Sequence, residues 1–175
     1  TVRAVHCFTP LPDGIWAQGI ERPTDTPGVP DTLDWDLWIG PAPMRPYNPA
    51  YAPFRWRGWW DFGTGTLGDQ GCHTIDVPFY ALDLDYPDTI EASSPPNNGD
   101  SYPLSEIIRW HFPARGDRAE IEMTWHDGGL MPEIPDVLEP GRKIGNRYGG
   151  VIFRGDDGYM ICSTYGESPR IIPET

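Results

Sequence analysis

Polar and apolar residues alternate along the first eight positions, TVRAVHCF, with β-branched or aromatic side chains on the apolar beat, which predicts a half-buried strand. The pattern then breaks. Ten of the 21 prolines fall in residues 10–53, mixed with turn residues, so a regular sheet or a long helix is excluded there and an extended excursion pinned by aromatic rings is expected. One short helical turn is predicted over residues 34–39, capped by Thr32 or Asp34. Residues 67–84 give the one long helical pattern, with Leu67, Cys72, Ile75, Phe79 and Leu82 recurring near helical spacing and Asp69 expected in the first turn. Pro78 lies inside that run. It lacks an N–H, so the helix should kink or divide near Thr74, whose carbonyl loses its partner.

After Pro87 the period changes to that of strands, predicted at residues 89–93, 106–112, 118–125, 150–154 and 159–164. PARGD and GDDG read as hairpin turns, and IIRWHF should pair antiparallel with AEIEMTW. Residues 127–149 are too rich in Gly and Pro for a regular element, and a loop of that length is usually functional or mobile. The sum is a single α+β domain over residues 1–175: an open, mostly antiparallel sheet with the helix and the long Pro/Trp-rich loop covering one face.

Composition sharpens this reading. Hydrophobic residues are 38% without Gly, against a usual ~45–50% that includes it, and eight Trp, eight Tyr and six Phe supply enough burial to argue against disorder. The net charge is −13, with basic residues scattered rather than clustered, so nucleic acid and anionic membrane surfaces are not expected partners. No apolar run reaches membrane-spanning length. Cys7, Cys72 and Cys162 are widely spaced and suggest neither a zinc nor a redox pair. The chain opens inside a strand with no Met and no signal peptide, so a piece of a longer polypeptide is expected and the compartment is unreadable.

Residues 35–62 hold nine aromatics, five of them Trp. They either replace missing secondary structure by packing the loop down, or, in the case of Trp56, Trp59 and Trp60 beside Arg55 and Arg57, face a pocket where rings stack on sugar C–H faces. Asp69 and His73, four apart on the predicted helix, share one face, and Asp76 reaches a similar side. A carboxylate-oriented imidazole is an effective base near neutral pH. The competing reading makes Asp69 a helix cap and His73 a core histidine; a metal at this spacing lacks a third ligand. His126, followed by Asp127 and two glycines, is a secondary substrate-side candidate. His6 and His111 read as structural. The string Gly63-x-Gly65-x-x-Gly68 matches a dinucleotide fingerprint literally, but RGWWDF precedes it where a buried strand is required, so no cofactor-binding residue is assigned.

The segment GTGTLGDQGCHTID, residues 63–76, resembles the Gly-rich turn and Asp/His helix of the substrate-side domain of Gfo/Idh/MocA oxidoreductases. The stretches LDWDLWIGPAPMRPYNPAYAPFRWRGWWDFG and GGVIFRGDDGYMICSTYGESPR are similar to one bacterial subgroup of that family. The resemblance implies that His73 handles the proton of a sugar hydroxyl, with Asp69 holding it or binding the adjacent hydroxyl. It implies NAD or NADP bound mainly by a Rossmann domain that is absent here, along with the family's catalytic lysine, a role that Lys143 in GRKIG does not fill. It implies a sugar, polyol or glycoside substrate and a homo-oligomer formed through the sheet, with the domain extending past residue 175 and this piece alone inactive. The alternative is a non-catalytic carbohydrate-binding or assembly module.

Overall fold

The strand over Val2–Phe8 (β1) is not an edge but the middle of the sheet. It pairs parallel with Ile121–His126 (β4) on one side and antiparallel with Gly150–Gly155 (β5) on the other. A computed structural model describes residues 1–173. Its sheet has seven strands, completed by Thr89–Ser93 (β2), Ile107–Phe112 (β3), Tyr159–Ser163 (β6) and Arg170–Ile172 (β7), in the order β2-β3-β4-β1-β5-β6-β7. Every neighbouring pair except β1–β4 is antiparallel, and the PARGD and GDDG turns do link β3 to β4 and β5 to β6. The seventh strand was not anticipated, because three residues, RII, hold too little alternation to register.

Register fixes which side chains share a face. Val5 and Cys7 line up with Met123 and Trp125 and with Val151 and Phe153, and all six are buried. Leu67, Ile75, Val77 and Leu82 pack onto this face from the helical segment. That segment divides as Pro78 demands: Gly65–Thr74 (α2) ends where Asp76–Ala81 (α3) begins, and the Thr74 carbonyl left over faces the Cys7 thiol, with Sγ 4.0 Å away. Two positions of the expected apolar stripe depart from it. Cys72 and Phe79 are exposed, and line an open groove with Leu67, Ile75 and Trp110.

The helix also begins earlier than its apolar pattern, so Asp69 sits in the second turn and caps nothing. By contrast, the short helix Trp35–Ile39 (α1) is capped by Asp34, whose carboxylate accepts from the Leu37 N–H at 3.1 Å.

The Pro/Trp-rich segment builds a core of its own. Trp35, Ile39, Tyr51 and Trp59 are buried together, with Trp38, Tyr47 and Phe62 packed around them. Arg45 is buried within, ion-paired to Asp61, with its guanidinium 4.9 Å over the Phe62 ring. On the opposite side of the sheet, Leu138 and Ile144 of the 127–149 loop cover Phe8, Ile152, Ile161 and Ile172. No helix among the described residues is long and apolar enough to cross a membrane.

Candidate functional site

Helix α2 presents its site face because both of its ends are held. At the entry, Gly65 has φ +63°, and a Cβ there would lie 2.6 Å from the Tyr102 ring. Thr66 donates to Gln18 Oε1 at 2.8 Å, and Gln18 Nε2 donates to the Pro103 carbonyl at 2.6 Å. At the exit, Thr74 is buried and Ile75 packs on the sheet. What remains outward is the face carrying Asp69 and His73.

Asp69 is half-buried and both of its oxygens are engaged, Oδ1 by Arg57 Nε at 3.2 Å and Oδ2 by Gln70 Nε2 at 3.0 Å. The carboxylate therefore serves the arginine and does not orient His73, as the spacing had suggested. Arg57 sits in a single 3-10 turn, Arg55–Gly58, which residues 59–64 separate from the helix. Its Nη1 donates to the Phe54 carbonyl at 3.1 Å, and the guanidinium lies 4.2 Å over the Phe54 ring and 4.6 Å over the Trp56 ring. A flat cation in contact with two rings and paired with a carboxylate is restrained in orientation and still has donors to offer.

His73 is exposed. Its ring lies 5.3 Å, centroid to centroid, from Tyr165 on the turn between β6 and β7. That turn is fastened by Ser163 N–H to the Glu167 carbonyl at 3.0 Å and by Gly166 N–H to the Ser163 carbonyl at 2.9 Å. Arg57, Trp56, Asp69 and His73 thus lie along one side of α2, joined by Phe54, Gln70 and Tyr165. Tyr165 lies too far along the chain for spacing to connect it with His73.

The remaining candidates lie elsewhere. Trp59 is fully buried, with Nε1 donating to the Ala50 carbonyl at 2.8 Å, so its ring belongs to the aromatic core and is out of reach of a ligand. Trp60 is 45% exposed and stacks on Tyr102 at 3.9 Å, which spends one of its faces. Asp76 lines the apolar groove beside Cys72 and Phe79.

His126 is buried at the end of β4 with neither ring nitrogen partnered, and its ring lies 6.0 Å from that of His6. Desolvation first, then His6 and Arg109, lower its pKa to about 4. Its neighbour Asp127 is fully buried, accepting from Glu106 N–H at 2.6 Å and Trp125 Nε1 at 3.0 Å, and burial pushes its carboxyl up to about 7. Asp127 thus holds the end of β4 to the residue that precedes β3. His111 is exposed, 2.7 Å from Asp88, and that hydrogen bond raises its pKa.

The glycine string is no phosphate cradle. A Cβ on Gly63 would lie 2.3 Å from the Arg57 carbonyl oxygen, one on Gly65 would meet Tyr102, and one on Gly68 would lie 2.4 Å from the Thr64 side chain. The space these glycines leave is already filled by the chain itself, so the residues do not fit a dinucleotide. Among the described residues, no group of three or more His, Cys, Asp or Glu is placed to hold a metal ion.

Fold and site together describe an α+β domain that carries an imidazole and an ion-paired carboxylate on an exposed helix face, with no dinucleotide turn of its own. A family model described as "Oxidoreductase family, C-terminal alpha/beta domain" matches residues 15–128, and the chain belongs to that family, Gfo/Idh/MocA. No curated protein matches the chain.

Proposed function

We propose that this domain is the substrate-side half of an NAD(P)-dependent oxidoreductase acting on a secondary alcohol of a sugar, polyol or glycoside. The observation that carries the reading is the exposed His73 imidazole one helical turn beyond an Asp69 carboxylate fixed by Arg57. His73 takes the hydroxyl proton during oxidation and returns it to the carbonyl oxygen during reduction. Arg57 and Asp69 form a rigid donor–acceptor edge for the neighbouring hydroxyls, and the outer faces of Phe54, Trp56 and Tyr165 offer apolar surface for sugar C–H groups. In this reading NAD or NADP supplies the redox chemistry from a separate nucleotide-binding domain, and the residues of this chain handle the proton and the orientation. The domain by itself binds substrate without turning it over, and pairs with a second copy through the sheet.

The test is the enzyme assembled with its nucleotide-binding domain, assayed with and without His73→Asn. A loss of about 10²–10⁴ in kcat at nearly constant KM supports the proton role. Turnover within a few-fold of the parent would overturn it.

A further inference from the structure

We propose that the concavity between the 141–146 loop and the β6–β7 turn is a binding site for a small anionic molecule carrying a phosphate or carboxylate. This proposal does not rest on the function assigned to His73. The cavity measures ≈ 430 Å³, within the ~300–1,000 Å³ common for small-molecule sites. Arg142, Lys143 and Arg170 line it, in a chain whose net charge is −13. Glu167 lines it too and Glu139 pairs with Arg142, so the charge offered to a small anion is chiefly that of Lys143, while the wider acidic field repels large anions.

The hydrogen-bonding inventory runs the same way. Around this cavity several donors meet no acceptor among the described residues. Asn146 Oδ1 accepts from Tyr148 N–H at 2.8 Å and from Thr164 Oγ1 at 3.1 Å, while its amide Nδ2 has no acceptor among the described residues. Glu167 accepts from the Ser163 hydroxyl at 3.2 Å, and Glu139 lies 3.5 Å from Arg142. The ammonium of Lys143, the chain's single lysine, meets no carboxylate among the described residues, and the Ser168 hydroxyl has no partner there either. Arg170 donates to the Lys143 carbonyl at 2.7 Å, which fixes the lysine's backbone against β7. Ser168 itself has φ +51°, an uncommon conformation for a side chain other than glycine. Lys143, Asn146 and Ser168 thus line one hollow as donors, and a ligand rich in acceptors and negative charge satisfies all three.

The experiment is amide-resolved NMR titration of the chain with three probes in turn: inorganic phosphate, a hexose phosphate and a hexuronate. Saturable shifts at Gly145, Asn146 and Ser168, weakened by added salt and by about tenfold or more in Lys143→Glu, support the site. A response to the phosphates alone assigns it to phosphate, and a response to the hexuronate alone assigns it to carboxylate. Lys143→Gln serves as the milder variant should Lys143→Glu unfold, and should weaken binding in the same direction. Binding unchanged in His73→Asn keeps this site distinct from the Asp69/His73 face. No saturable shift at ~10 mM of any probe, or equal affinity in the Lys143 variants, would overturn the proposal.

Discussion

Arg57 Nε lies 3.2 Å from Asp69 Oδ1, and this ion pair ties the 3-10 turn within the aromatic segment to the helix that carries His73. Both side chains keep about a quarter of their surface in solvent, which screens part of their attraction. Pairs with this much solvent contact contribute only ~0–1 kcal/mol. Arg57→Lys should therefore leave the urea midpoint nearly unchanged. It should weaken polyol binding, because an ammonium neither stacks on Phe54 and Trp56 nor presents a planar fork. A large fall in the midpoint with binding intact would show the pair to be architectural.

Trp59 and Trp60 are adjacent in sequence and opposite in setting. Trp59→Ala should cost about 3–5 kcal/mol, since it empties the centre of the aromatic core and orphans the Ala50 carbonyl. Trp60→Ala removes a half-exposed ring stacked on Tyr102 and should cost roughly 1 kcal/mol. Chemical denaturation of the two variants under identical conditions measures the gap.

Gly65→Ala forces φ +63° on a residue with a Cβ and drives that atom into Tyr102. The expected loss is about 2–4 kcal/mol, with fraying localised to the start of α2 in hydrogen exchange. Gly14→Ala is the control, because that glycine also has positive φ, at +71°, but no atom lies within 4 Å of the added Cβ. It should cost about 1 kcal/mol, the backbone strain without the clash.

His126 and Asp127 make opposing contributions to pH-dependent stability. The folded imidazole titrates near 4 instead of its usual 6.5, so the unfolded chain gains that proton first as pH falls. Its contribution is complete above pH ~6.5 and is lost progressively down to ~4. The folded Asp127 carboxyl titrates near 7 instead of 3.8, so between those values the folded state holds a proton that the unfolded chain has released. Stability from Asp127 consequently falls as pH rises through that window. Asp127→Asn should narrow its deficit against the parent between pH 4.5 and 7.5, while His126→Gln should widen its own. Each trend is on the order of 3 kcal/mol. Urea titrations at the two pH values check both signs.

Most of the strands were legible because their signals are local: VRAVHCF carries polar–apolar alternation, while IIRWHF and GVIFRG are short β-branched and aromatic runs bounded by turn residues. The division of the long helix was legible for a similar reason, since Pro78 acts on a carbonyl only four positions back. The helix start was not. Gly65, Gly68 and Gly71 lower intrinsic helix propensity, and glycine at the first two is explained by the approach of Tyr102 to Gly65 and of the Thr64 side chain, one turn back, to Gly68. Asp69 and His73 were correctly placed on one side by periodicity, but the partners of each were not, because the choice between a neighbouring imidazole and Arg57 depends on a turn that the pattern does not define. The same gap hides Tyr165, which meets His73 only once β6 has docked. Trp56, Trp59 and Trp60 are indistinguishable by composition, and which ring turns inward is decided by the aromatic core.

The central place of β1 has a further consequence. Strands β2 to β4 can zip as neighbours along the chain, and so can β5 to β7, but the two zippers touch only through a segment from the opposite end of the molecule. Residues 2–8 act as a keystone: until they slide between the two ribbons, each ribbon has an open inner edge, and assembly should wait on that late, long-distance insertion.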